Sequence, residues 1–564
     1  MKFKFTLTLV ALLCFTMVMA QKTKPSKQQK LPIERFEEDG NLSVEFDMKE
    51  SEGGYKTTYL GSDGLVVYYD TKDGKKNVGS YEFIKFDKDL NQEYTISYTL
   101  PEKVKIVKIV ENDRKIYFLT AISKSSIGGT FIEKYSLVRF DPAEKNFTTF
   151  DGSFPVGGAY LKDIKVVNDV AYMSVSKGHS PTKMSLYTCL NMCTCFIPYM
   201  TGLTRMDKQI AEFVVHNMRN KSQKVSQFGY DKRKGVVVTP SYSVDDSTGI
   251  ATLLMYNKHK KLQTLWVKEI DEKGKYTKDL NIKLPADKEI SDVRVTTVDD
   301  KKFFYGQYSA VNPRVKVSFG NSPASPQFMG VTFGVIGKNG IEKSNFIPFN
   351  KIKGFKAPLS TSETRQLKKA AKKGKDVGIN LMVHFGAPLL YNDEIIIVGE
   401  VYYATYRTET YTTYSNGRAT TSTRTVFDGY AFSNILTLSF DTKGELLWTN
   451  SIPYSRNKSY VITDRVRSIL QEDGAVQIVY NSGYDLYSTL IDGEKVIDTK
   501  KIAIGATKKG DKWTKTYGLS GEVEYWYDDF YVASGVLNIK NKQLKGKDKK
   551  REVYYLRKVE VSTE

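Results

Sequence analysis

Residues 104–119 read VKIVKIVENDRKIYFL. Val104 to Val110 sets apolar against charged residues with a period near two, the pattern of a half-buried strand. Asn112-Asp113 marks a tight turn, and Ile116-Tyr117-Phe118-Leu119 is a denser run, expected deeper in a core. Tyr135 to Asp141 and Phe147 to Phe154 supply two further strands. Together these four runs predict one four-stranded antiparallel sheet.

The same device of extended run, acidic turn and second apolar run recurs along the chain. Its turns are Ser62-Asp63-Gly64, Asn112-Asp113, Asn168-Asp169, Asp231 to Gly235, Asp299-Asp300, Asn392-Asp393, Glu472-Asp473-Gly474 and Asp528-Asp529. A spacing of roughly 50–90 residues is the upper end of that expected of propeller blades and related arrays, in which a hairpin unable to bury both faces alone must stack on its neighbours. Tyr (37) and Phe (29) are abundant, which favours strands throughout. The last unit offers three strands, Tyr525 to Tyr527, Phe530 to Ile539 and Val553 to Val561, while Leu42 to Phe46 is an unassigned strand near the start. The economical fold is an all-β, eight-bladed β-propeller, with seven blades as the alternative, closed by the N-terminal strand. Such closure pairs edges that would otherwise invite aggregation.

Residues 1–20 read as a signal peptide: Lys2 and Lys4 open it, Leu7 to Met19 is its apolar core, and Ala20 is the small residue at the cut. Residues 21–41 read as a basic disordered linker, and 42–564 as a single propeller domain with insertions near 201–220, 355–378 and 400–429. Two insertions are expected to be helical. Thr204 to Met218 places Ile210, Phe213, Val214 and Met218 on one helical face, and Ser360 with Glu363 forms a capping box before Arg365 to Lys375. Lys368 and Lys372 of the second helix are candidate contacts to an acidic partner. The formal charge is +20, or +18 once Lys2 and Lys4 are removed. Export turns that excess away from nucleic acid and toward acidic proteins, anionic surfaces or glycans.

Catalytic and metal signatures fail in turn. G-x-S-x-G is absent, because Gly178-His179-Ser180-Pro181-Thr182 lacks the closing glycine, and no H-E-x-x-H occurs. His179, His216, His259 and His384 are scattered. Neither a cofactor nor a bound metal is expected, and the reading leans away from an enzyme. Cys189, Cys193 and Cys195 leave three alternatives open: a local disulfide from Cys189 to Cys193 or Cys195, unpaired thiols, or a metal or redox site.

The most distinctive stretch is 400–429. Asn416-Gly417 is a strong hairpin signal, and its long arms carry Tyr402, Tyr403, Tyr406, Arg407, Tyr411, Tyr414 and Arg418. Tyr402, Tyr406 and Tyr414 share one parity, Tyr403 and Tyr411 the other. Neither face is purely apolar, so a ribbon projecting beyond its blade is expected. Tyr and Arg are the side chains that dominate protein–protein hot spots.

The repeated hairpins from Leu42 to Val561, with the single turn Asp441 to Trp448, resemble exported β-propeller proteins of Gram-negative envelopes. The Tyr–Thr ribbon is similar to envelope proteins of bacteria that use type IX secretion, and the plug-like periplasmic subunit of that translocon would be a relative. The chain is expected to be exported and to stay in the periplasm, since it ends within a blade strand at Val559 to Glu564 with no evident sorting domain; a secreted or surface location is the alternative. The functional expectation is a non-enzymatic scaffold that binds another envelope or outer-membrane-associated protein through the ribbon. The alternative is a glycan-binding or glycan-hydrolysing propeller acting through its central funnel. A hydrolase would need paired carboxylates about 5–9 Å apart.

Overall fold

A computed structural model describes residues 33–561 except 39–40, 49–53, 72–78, 127–128, 155–158, 178–209, 229–235, 238–240, 260–261, 286, 299–300, 311–314, 318–326, 359–360, 374–376, 416–417, 455–457, 461, 463, 483–484, 504–509 and 515–520. Among the described residues, seven antiparallel four-strand meanders follow one another, each with its strands in chain order, and an eighth takes one strand from the start of the chain. They span 56–99, 104–153, 159–228, 241–283, 288–348, 382–453 and 466–503, and the eighth joins 522–560 to Asn41–Asp47. The sheet expected around residues 104–119 is the second of them, formed by Val104–Asn112, Lys115–Ser126, Gly129–Asp141 and Asn146–Ser153.

The core divides in the same way. Among the described residues, eight hydrophobic clusters lie between successive meanders. Phe83 of the first packs with Phe118 and Phe140 of the second, and Leu119 and Leu137 of the second pack with Val166 and Met173 of the third. The third and fourth meet at Phe213 and Leu253, the fourth and fifth at Val267 and Phe304, and the fifth and sixth at Phe333 and Phe440. The sixth meets the seventh at Ile435 and Ile478, and the seventh meets the eighth at Val479 and Tyr531. The last cluster joins Trp526 and Leu556 of the eighth meander to Leu65 and Phe86 of the first. The ring is therefore closed, and the fold is a β-propeller.

Closure is by backbone as well as by packing. Val44 pairs with Leu556 and Glu45 with Tyr555, so the N-terminal strand completes the final sheet. The Trp526 indole donates to the Gly64 carbonyl at 3.0 Å. Gly64 sits at φ +100°, and a Cβ there would lie 1.9 Å from the Phe86 carbonyl oxygen, so only glycine fits this seam.

The acidic turns have a conformational cause. Asp113 and Arg114, and likewise Asn168 and Asp169, are two-residue hairpin turns with both residues at positive φ. Asn and Asp tolerate that region better than most residues. The turns also join meanders: Asp169 accepts hydrogen bonds from Tyr117 at 2.8 Å and Arg139 at 3.2 Å, while Arg114 pairs with Asp63 at 2.8 Å. In the fourth meander the first hairpin turns at Asp245 to Gly249, whereas Asp231 to Gly235 and Asp299-Asp300 lie outside the described residues.

Two expectations are corrected. Ile210–Asn217 is a strand, not a helix. Phe213 and Val215 enter one inter-meander core, Val214 and Met218 the other, because a strand between two packed faces buries both parities. The helical spacing of 210, 213, 214 and 218 cannot distinguish that pattern from an amphipathic face. Within the supposed linker, Ile33–Glu38 is a strand that pairs with Asn41–Asp47; residues 21–32 lie outside the described residues. The other insertion is helical, over Thr361–Lys372, with Lys368 and Lys372 exposed. Ser360 lies outside the described residues, as does the signal-peptide segment. Val377–Ile379, after the helix, pairs in parallel with Val315–Val317.

Candidate functional site

The second and third strands of the sixth meander, Glu394–Ser415 and Arg418–Asp441, are far longer than their neighbours. Their partners on either side stop at Tyr402 and Tyr430. From Tyr406↔Phe427 to Ser415↔Arg418 ten consecutive pairs have only each other, a ribbon roughly 30 Å long. At its root Gly429 (φ +91°) lies in a bulge where the register slips between Ala404 and Tyr406. Thr405 Oγ1 donates to the Gly429 carbonyl at 2.7 Å, or to that of Asp428 at 3.1 Å, holding the bulge.

The named aromatic residues divide at this root. Tyr402 is 6% exposed and belongs to the core between the sixth and seventh meanders; Tyr403 packs on the core between the fifth and sixth. Tyr402 is thus a core residue, which corrects its reading as a contact residue. Opposite burial follows from opposite parity. Tyr406 is half-buried against Phe427, Tyr411 is 46% exposed and Tyr414 is 79% exposed. Arg418 is exposed beside the turn. Glu409 binds Arg407 and Arg424, each at 2.8 Å, and the Arg424 guanidinium lies 5.9 Å from the Tyr411 ring centre. These contacts and the Thr408↔Thr425, Thr410↔Thr423 and Thr412↔Thr421 pairs stiffen a two-stranded ribbon that would otherwise be marginal.

Sequence reading missed Phe427, Tyr430 and Tyr460. An edge-to-face series runs from Tyr402 to Tyr430, Phe427 and Tyr460, linking core to ribbon. Counting outward from Asn416-Gly417 places Phe427 opposite Tyr406, so that part was recoverable. Cys189, Cys193 and Cys195 lie outside the described residues.

A second set of residues converges on the axis, where the first strands of successive meanders meet. Arg294 approaches His384 Nδ1 at 3.5 Å, and His384 Nε2 lies 2.6 Å from Asp464. Asp464 faces Arg467 at 3.8 Å, and Arg467 binds Glu524 with both arms of its fork, Nε to Oε2 at 2.5 Å. This chain crosses the fifth to eighth meanders. Burial opposes ionisation of Asp464, but the hydrogen bond from His384 and the nearby positive charges hold its pKa below the usual range. Burial outweighs Arg467 at Glu524 and raises its pKa. Glu111, in the second meander, feels Glu524; desolvation and that charge push it up to about 7, although its side chain keeps solvent access. Behind His384, Glu400 is 3% exposed and is pushed up to about 7, chiefly by burial; its Oε1 accepts the Arg465 N–H at 2.8 Å. These residues are distant in sequence, so no local motif marked them. Among the described residues no group of three or more His, Cys, Asp or Glu side chains is arranged to hold a metal.

No family model matches the chain, and no curated protein matches it. Among solved structures it is similar to the polysaccharide lyase Uly1, at 11% identity over 80% of this chain and 89% of that one, with a TM-score of 0.37. It is also similar to the WD40 domain of SCAP from fission yeast, at 6% identity over 89% and 98%, with a TM-score of 0.32. A eukaryotic initiation factor is similar at 8% identity over 92% and 97%, with a TM-score of 0.35.

Proposed function

We propose that this chain is an exported, non-enzymatic propeller scaffold that holds another cell-envelope protein through its projecting hairpin. The observation that carries the reading is the ribbon itself: ten strand pairs beyond any core, ending in exposed Tyr411, Tyr414 and Arg418. From Tyr406 to Phe427 the ribbon carries Arg407, Arg418 and Arg424 against Glu409, a formal charge of 3 − 1 = +2. That balance suits an acidic partner, and rigid Tyr rings bury contact area at low entropic cost beside the Arg side chains that anchor many interfaces. Exposed Lys368 and Lys372 would steer the same partner electrostatically. The leader-like first 20 residues and the resemblance to Gram-negative envelope proteins support a periplasmic location, with a type IX secretion component as the narrower form of the proposal.

Crosslinking in intact cells, followed by purification of the tagged chain, tests this reading. Replacing residues 406–427 by a two-residue turn should remove the crosslinked partner while leaving the thermal transition in place. Full retention of every partner by that variant would contradict the proposal. The alternative, a propeller acting on glycans through its funnel, draws on the axial charge chain instead.

A further inference from the structure

We propose that the axial cluster around Arg294 is a binding site for the carboxylate of a hydroxylated acid, a sugar acid such as a uronate. This inference does not depend on the hairpin; it narrows the funnel alternative to one ligand class. Three observations carry it.

The first is that the cations of the axial chain are unequally committed. Arg467 is saturated by the two-armed contact with Glu524. Arg294, half-buried, has a single and long contact, 3.5 Å to His384 Nδ1. With Arg294 donating to Nδ1, the ring is the tautomer whose Nε2–H donates to Asp464. A planar guanidinium whose hydrogen bond is a single stretched one can exchange it for a two-pronged bond to a carboxylate, which is shorter and stronger.

The second observation lies behind the first. Glu400 Oε2 and Arg465 Nε and Nη1 are buried without a hydrogen-bond partner among the described residues, at 3% and 5% residue exposure. Glu400 is the cross-strand partner of His384, and the Arg465 backbone N–H donates to its other oxygen. Most buried polar side-chain atoms are hydrogen-bonded, so atoms left over at this depth call for a reason. The third observation is backbone. Asp292, two residues before Arg294, has φ +49° inside Lys288–Val298. The other non-glycine residues at positive φ lie outside strand interiors among the described residues. The register slips between Ser291 and Arg294, a bulge that re-aims this part of the innermost strand.

The acids around Arg294 set the ligand class. Asp464 is half exposed and Asp292 is exposed, so a bare anion seated on the guanidinium would meet two carboxylates. A ligand that brings a carboxylate to Arg294 and hydroxyl donors to Asp464 and Asp292 satisfies both charges at once. Sugar acids have that layout; neutral sugars leave Arg294 unmatched, and simple carboxylates leave the acids facing a like charge.

The test is isothermal titration of the full mature chain with glucuronate, glucose and acetate. Glucuronate should bind at least tenfold more tightly than either control. Arg294→Gln should weaken glucuronate binding at least tenfold, and Arg294→Lys, which keeps the charge but loses the fork, should also weaken it measurably. Should Arg294→Gln fail to fold, as judged by its thermal transition, Arg294→Lys carries the test. Glucose or acetate binding as tightly as glucuronate, no glucuronate binding at all, or unchanged binding in a folded Arg294 variant would each overturn the proposal.

Discussion

Asn168 shows how one residue type serves the whole repeat. It stands at φ +49° in a two-residue turn, its backbone N–H donates to Asn112 Oδ1 at 3.2 Å, and its amide donates to the Asp246 carbonyl at 3.1 Å. Three successive meanders are therefore tied through one side chain and its own backbone. A β-branched residue would clash in this left-handed conformation. Asn168→Val should cost about 1–2 kcal/mol in urea unfolding, and Asn168→Gly, which keeps the backbone, clearly less. Glu400 makes a residue-scale statement about pH. Its carboxyl binds a proton more tightly when folded, with a pKa of about 7, than when unfolded, because burial disfavours the charge. The stabilisation is complete below the ordinary carboxylate range and disappears as pH rises through about 7. At about 1.4 kcal/mol per unit, wild type should lose roughly 3 kcal/mol between pH 4.5 and 7 relative to Glu400→Gln, as read from paired unfolding curves.

At the scale of elements, the hairpin changes character at the bulge. Inside it, Tyr402 is core; outside it, Tyr414 touches little. Tyr402→Ala should cost about 3 kcal/mol or more through the cavity it leaves, whereas Tyr414→Ala should shift stability by under about 0.5 kcal/mol. The partner-capture assay should rank them differently, with Tyr414→Ala weakening capture at least tenfold. How much of this was legible from sequence follows from range. The ribbon was legible because Asn416-Gly417 and its arms are contiguous and a turn fixes register locally. The division of Tyr402 from Tyr406 was not, because a register slip between Ala404 and Tyr406 intervenes. Ile210–Asn217 was misread because burial on both faces erases the period-two alternation that marks a half-exposed strand.

At the scale of the molecule, each meander leaves both faces apolar and finds cover only in its neighbours, so closure decides stability. The eighth meander lacks an outer strand until Asn41–Asp47 arrives, more than 500 residues earlier in sequence than Lys550–Glu560. That long-range pairing was readable because an orphan strand at one end matched a deficit at the other. The axial chain from Arg294 to Glu524 was not, since its members lie about 60–90 residues apart and meet only when the first strands of successive meanders pack side by side, which no local motif marks. The most direct measurement of closure replaces Val44 and Leu556, directly opposed in the final sheet, by cysteine. Antiparallel partners stand about 4.5–5.5 Å apart at Cα, within disulfide reach. Mild oxidation followed by peptide mapping should give an intramolecular link between positions 44 and 556 in the monomer. No such link, or one found only between chains, would contradict a ring closed by its own N-terminal strand.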